Sequence, residues 1–255
     1  MKIKKYELYT DKIKNDLKIA CVSDIHGRES DGAVQAVREI APDVILLAGD
    51  ILEISVDYMQ ERNECAIAFL EQMAKIAPCY YCFGNHEMFY SHAKGEQPSV
   101  SDPELRAGHI ARIEALGIHL INDKCEMMGD VLIGGLVCGF DKDPNATRDL
   151  DLEFLKNFDA RDDYKILLCH YPHVYDKVLK NTDIDLILSG HAHGGQWRIF
   201  GRGVYAPHQG LFPKYTSGIH DGRMIINRGA SNNVAPIPRF FNPCEVLMIN
   251  VKKKS

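Results

Sequence analysis

No apolar run of about 18 residues occurs in this chain, so nothing in it reads as a membrane-spanning helix. The lysines near the start are followed by no apolar h-region, which argues against a secretory signal. Cys79-Tyr80-Tyr81-Cys82 has no second CxxC to complete a four-sulfur zinc site, and in strand-like sequence its sulfurs point to opposite faces. The eight cysteines include several inside apolar runs, such as Ala20-Cys21-Val22 and Leu168-Cys169, and they read as reduced thiols of a cytoplasmic protein. No Pro/Ser/Gly-rich linker, low-complexity tract or internal repeat divides the 255 residues, which predicts a single domain over 1–255. Positive charge is not in excess: the formal net charge of -5 argues against a nucleic-acid surface. The basic ends, Lys2-Ile3-Lys4-Lys5 and Lys252-Lys253-Lys254, read as solvated termini.

What is present is a run of apolar segments, each closed by polar residues. Leu17–Val22 reads as a buried strand leading into Ser23-Asp24-Ile25-His26-Gly27. Asp31 is placed to cap a helix over Gly32–Ile40, stopped before Pro42. Val44–Ala48 is a second strand, ending in Gly49-Asp50. A helix over Asp57–Ala77 follows, then the strand Cys79–Phe83, ending in Gly84-Asn85-His86-Glu87. Strand and helix alternating in this way predict an α/β sheet with parallel neighbours.

Residues 88–101 have no periodicity and read as a loop over the site, before a helix opened by Ser101, Pro103 and Glu104 that runs to Leu116. The character then changes. Short strands over Ile118–Ile121, Cys125–Met128 and Val131–Gly139, with Asn-Asp and Gly-Asp turns between, suggest an antiparallel portion or a second sheet. A short helix over Asp149–Phe158 precedes the strand Lys165–Cys169, which ends in His170-Tyr171-Pro172. A brief helix, Tyr175–Lys180, leads to the strand Ile184–Leu188 and to Gly190-His191-Ala192-His193-Gly194-Gly195. Strands over Gln196–Phe200, Met224–Asn227 and Glu245–Val251 complete the chain, and Gly201–Gly222, rich in Gly, Pro and aromatics, reads as a functional loop or lid.

Five strand ends therefore carry metal-competent residues: Asp24 and His26; Asp50; Asn85 and His86; His170; His191 and His193. In α/β sheets, ligands bind beyond the carboxyl ends of the strands, where the loops converge. Two dications roughly 3.5–4 Å apart can clamp the attacking and leaving oxygens of a phosphoryl displacement, and a carboxylate such as Asp50 can be shared between them. Mixed imidazole and oxygen donors suit Mn, Fe or Zn better than Ca or Mg.

The ordered set Asp24-x-His26, Gly49-Asp50, Gly84-Asn85-His86-Glu87, His170 and Gly190-His191-Ala192-His193 resembles the calcineurin-like metallophosphoesterase superfamily. The His-x-His-Gly-Gly-Gln run, Leu211-Phe212-Pro213-Lys214-Tyr215 and Asn227-Arg228-Gly229 resemble its bacterial branch of small, often membrane-associated phosphodiesterases and phosphatases. The resemblance implies a four-layer α/β/β/α sandwich of two mixed sheets flanked by helices. It implies that Asp24, His26 and His193 hold one divalent metal, that Asn85, His170 and His191 hold the other, and that Asp50 bridges. A metal-bridging hydroxide would attack phosphorus, and His86 would stabilise the developing charge and protonate the leaving oxygen. Members of that branch often carry a leading anchor or export signal, and none is read here.

The expectation is a phosphoesterase with two divalent transition metals (Mn, Fe or Zn) acting on small phosphomonoesters or phosphodiesters. Rival expectations are a pyrophosphate hydrolase on a nucleotide-linked sugar or lipid-sugar, a nuclease, or a non-catalytic scaffold that has no use for its ligands. Arg28 reads as an exposed loop arginine, with reach to a substrate phosphate as the alternative, and His92, His173, His208 and His220 read as surface or loop residues; Trp197, Phe212 and Tyr215 read as lid packing or substrate-stacking rings. The glycines after His193 read as clearance for the substrate.

Overall fold

The computed structural model describes residues 1–54, 61–90, 99–100, 103–137, 150–231 and 238–254. Two six-stranded sheets dominate them. In the first, the strands run Lys2–Thr10, Glu245–Lys253, Leu17–Val22, Val44–Ala48, Cys79–Cys82 and His119–Leu120 across the sheet. In the second, the order is Gly218–His220, Met224–Ile226, Leu186–Ser189, Tyr164–Leu168, Val131–Gly135 and Lys124–Met128. Each sheet is mixed, with its central strands parallel.

Period-2 alternation sorts the side chains into layers. On Leu17–Val22, Ile19 and Cys21 enter the core between the sheets, while Ala20 and Val22 face the helices outside. On Tyr164–Leu168, Ile166 and Leu168 face inward and Leu167 outward. The sulfurs of Cys79 and Cys82, three residues apart, fall on opposite faces as expected. The helices Asp31–Ile40, Glu61–Ala74 and Pro103–Ala115 cover the first sheet; Leu152–Asp159 and the single turn Tyr175–Leu179 cover the second. The order helix, sheet, sheet, helix is the four-layer sandwich expected. Among the described residues no helix is long and apolar enough to cross a membrane.

Several elements differ from the sequence reading. The basic N-terminus is not a solvated tail: Lys2–Thr10 is the edge strand of the first sheet, pairing in parallel with Glu245–Lys253 from Lys2↔Glu245 to Thr10↔Lys253. Its lysines stay exposed while Ile3, Tyr6 and Leu8 pack inward, a pattern that edge strands tolerate. The C-terminal lysines are also engaged: Lys252 pairs with Asp16 at 2.9 Å. His119–Leu120 closes the first sheet, so the change of character begins only at Lys124. Ser30 rather than Asp31 occupies the cap position of the first helix. Within Gly201–Gly222 the chain forms short ribbons, and Gly218–His220 is an edge strand of the second sheet. The expected helix start at Asp57, most of the 88–101 loop, Ser101, Cys138 and Asp149 lie outside the described residues.

Candidate metal centre

The parallel strands of both sheets end at the same rim, and each of the five polar strand ends opens there. Asp24 and His26 follow Leu17–Val22, Asp50 follows Val44–Ala48, and Asn85 and His86 begin a one-turn helix after Cys79–Cys82. From the second sheet come His170, after Tyr164–Leu168, and His191 and His193, after Leu186–Ser189. The sandwich thus brings every residue of the expected set to one place.

The set divides into two donor clusters: Asp24, His26 and His193, and Asp50, His170 and His191. In the first, His193 Nε2 lies 3.4 Å from Asp24 Oδ1 and 3.3 Å from His26 Nε2. In the second, His170 Nε2 lies 2.9 Å from Asp50 Oδ2. The same Asp50 oxygen is 3.8 Å from His26 Nε2, so it faces both clusters. A third grouping, His26, Glu53 and His86, shares His26 with the first.

The donors are short of partners where a cation would sit. His170 Nδ1–H donates to the Ala48 carbonyl at 2.7 Å, which turns Nε2 toward the Asp50 carboxylate. Asn85 Oδ1 and His191 Nε2 are buried without a hydrogen-bond partner. Buried polar atoms are nearly always satisfied, so these two orphaned donors fit a bound cation.

The family model for Calcineurin-like phosphoesterase matches residues 17–195, the segment that carries all of these strand ends. The chain belongs to that family. An uncharacterised metallophosphoesterase of Helicobacter pylori is 25% identical over 265 residues, covering 100% of this chain and 65% of its own length. One from Aquifex aeolicus is 25% identical over 266 residues, covering 100% of this chain and 93% of its own. The Bos taurus transmembrane protein with metallophosphoesterase domain is 30% identical over 195 residues, 71% of this chain and 41% of that one. The solved structure of a metallophosphoesterase from Sphaerobacter thermophilus covers 86% of this chain and 78% of its own, at 18% identity and a TM-score of 0.38. The chain spans about two thirds of the length of the Helicobacter relative.

In this chain the candidate ligands sit on strained backbone. Asp24, His26, Asp50, His191 and His193 all have φ between 45° and 66°. A residue with a Cβ held there costs on the order of 1–3 kcal/mol and persists only where its surroundings impose it. At Asp50 it is Glu87 that holds the loop. Its buried carboxylate accepts the N–H groups of Asp50, Ile51, Leu52 and Gly84 and the Tyr81 hydroxyl. Asp24 is fixed similarly, accepting from the Ser23 hydroxyl and the His191 N–H.

Charge is distributed unevenly among the imidazoles. Burial opposes protonation of His86 and His170, but acidic neighbours prevail and raise both to about 10: Glu53 then Asp50 for His86, and Asp50 for His170. Burial, reinforced by other imidazoles, holds His191 and His193 well below the ordinary histidine value. Burial would raise Asp50, but His170, His86 and His26 hold it well below the usual carboxylate range. Burial raises Asp24, against the pull of His170.

Sequence reasoning missed several participants. Glu53 accepts from Nδ1 of His86 at 2.5 Å and contacts Nδ1 of His26 at 3.1 Å, tying the two histidines to one carboxylate. Its spacing, three residues after Asp50, was the available signal. Arg239 Nη2 lies 3.1 Å from His193 Nδ1, and Asn242 Nδ2 donates to the His193 carbonyl. His173 and His208 are not plain surface residues: His208 stacks between His191 and His173, at 5.2 and 5.1 Å between centroids. Tyr215 packs, its hydroxyl on Asp176, and Trp197 lies against Phe240. The glycines after His193 are not substrate clearance. A Cβ on Gly195 would lie 2.4 Å from Gly203 Cα, and one on Gly194 would strike Asn242, so both admit neighbouring chain. His92 lies outside the described residues.

Proposed function

We propose that the chain is a metal-dependent phosphoesterase whose centre takes two divalent transition metals and hydrolyses small phosphomonoesters or phosphodiesters. The observation that carries this reading is Asp50 Oδ2, which lies 3.8 Å from His26 Nε2 of one donor cluster and 2.9 Å from His170 Nε2 of the other. Asp24, His26 and His193 would hold one metal, and Asn85, His170 and His191 the other, with Asp50 shared. Bound metals would supply Lewis-acid polarisation of the phosphoryl oxygens.

The chain's own groups account for orientation and proton supply. His86 belongs to neither cluster with Asp24 or Asp50, and its Nε2 reaches to 4.0 Å from Asp50 Oδ2 at a position 22% exposed. Glu53 holds the Nδ1–H, which leaves Nε2–H of the imidazolium to face the centre. That proton goes to the departing oxygen, and Glu53 keeps the ring aligned for the transfer. His191 and His193, neutral when buried, need shed no proton from a charged form to act as ligands.

The test is a chelated and reconstituted protein assayed on chromogenic phosphomonoesters and phosphodiesters, with elemental analysis alongside. Turnover should vanish on chelation and return with Mn, Fe or Zn, and Asp50→Ala should bind fewer ions and stay inactive. Hydrolysis that survives both chelation and Asp50→Ala would sink the reading.

A further inference from the structure

Behind the Asp24–Arg28 loop lies a second cleft, of about 550 Å³, whose lining includes Gly27, Arg28, Ser30, Gly32, Arg62 and Ser231. It is joined to the metal centre through the main chain, because the Ser231 N–H donates to the Asp24 carbonyl and the Ala230 N–H to that of Ser23.

Three independent features of this cleft call for an anion. Arg28 is half-buried, and its Nε is enclosed without a hydrogen-bond partner. Arg62 lines the same cleft. Gly27, at φ +59°, permits its approach, since a Cβ there would lie 2.6 Å from Arg62 Cβ. Secondly, Ser231 is only 5% exposed and its Oγ has no partner. Thirdly, the ten-residue helix Asp31–Ile40 starts at the cleft with no side-chain cap bond from Ser30. Its N-terminal amides and dipole favour negative charge. Glu29 stands exposed on the rim.

We propose that this cleft is a phosphate-binding subsite, separate from the metal centre. Arg28 gripes the anion through its planar donor fork, the Ser231 hydroxyl donates to a phosphate oxygen, and the helix N-terminus faces a third oxygen. The ligand is a phosphate dianion, supplied either as a second phosphate of the substrate or as free phosphate. The binding itself does not depend on the proposed reaction; only the choice of source rests on that reading.

The probe is inorganic phosphate, titrated calorimetrically into the metal-free full chain at low salt. A saturable site is expected. Arg28→Gln should weaken it by about tenfold or more, the loss of a charge-assisted pair, and Ser231→Ala by about threefold or more. Arg38→Gln, on the same helix but bonded to Gln72, should leave it unchanged. Thermal melts of each variant verify folding, and Ser231→Ala decides the matter if Arg28→Gln does not fold. Absence of saturable binding, or binding indifferent to the variants, would overturn the proposal. With metals restored, KM is compared for p-nitrophenyl phosphate and a nucleoside diphosphate. A rise confined to the diphosphate in Arg28→Gln identifies the second substrate phosphate, and an unchanged ratio beside lost phosphate binding identifies free phosphate. Failure of the loaded wild type to turn over would refute the hydrolytic reading and leave the titration result standing.

Discussion

Replacing Glu53 with glutamine tests the proton supply directly. The substitution keeps the volume and an acceptor oxygen but removes the charge that His86 and His26 both address, at 2.5 and 3.1 Å. A charge-assisted hydrogen bond contributes about 1 kcal/mol more than a neutral one, so two such bonds amount to about 2 kcal/mol, or about 30-fold in rate. The pH dependence gives a second readout. Glu53 is the chief group lifting His86 to about 10 in the metal-free protein, so its neutralisation must move the His86 pKa downward. If His86 acts as the acid, activity requires its protonated form, and the basic limb of the kcat profile should shift to lower pH. The assay is kcat against pH on a chromogenic phosphomonoester, with the metal content of each preparation measured. A variant within about twofold of wild type, its basic limb unmoved, would refute the assignment of His86 and Glu53 as an acid and its positioning residue. Loss of metal without a shift in the limb would assign Glu53 to His26 alone.

Removal of metal should make stability depend on alkaline pH. His86 and His170 are raised from 6.5 to about 10, so the stabilisation from their protonated forms is complete below about 6.5 and is lost as pH rises through about 10. The Tm of chelated protein should fall across that window, and a flat Tm would contradict the imidazolium–carboxylate contacts described. Glu87→Ala strips four backbone N–H groups and the Tyr81 hydroxyl of their buried acceptor. At about 1–3 kcal/mol for each unsatisfied group, urea denaturation should show a loss of about 5 kcal/mol or more, or an unfolded chain. A loss under about 1 kcal/mol would show that the loop finds other acceptors. Deleting residues 1–10 bares the Glu245–Lys253 strand along its whole ladder and should promote association, measurable by light scattering. A monomeric, fully stable truncation would remove the edge strand from any structural role.

The central strands and the expected ligands were legible because one physical rule produces both. Buried parallel strands must be apolar, and their carboxyl ends must open where the loops meet, so Val44–Ala48 followed by Gly49-Asp50 announces strand and site together. Lys2–Thr10 was illegible because an edge strand needs few buried side chains, and its exposed lysines resemble a tail. The two-residue ribbons within 198–211 are too short to show any period. Glu53 and Arg239 were missed for a different reason. Neither terminates a strand, and each acts through a histidine that the fold brings to it from far along the chain, 27 residues for His26 and 46 for His193.

The positions that read most plainly as ligands are also those where the backbone is least at ease. Five of the seven expected metal-binding residues lie in the left-handed region, and none is glycine. At about 1–3 kcal/mol each, that strain is comparable with the whole net stability of a typical domain. It cannot be maintained by the loops alone. The buried strands on either side fix where each loop starts and ends, and Glu87 holds the Asp50 loop by satisfying its amides. A carboxylate buried to do this, itself raised above its ordinary value by burial, is a costly choice unless the loop geometry it secures is needed. The need is donor convergence: with relaxed backbone at Asp24, His26, Asp50, His191 and His193, the two donor clusters would not meet at one rim. Metal binding then offsets strain that folding alone must bear, so the metal-free protein should be the less stable form even at pH values where its imidazoles remain protonated.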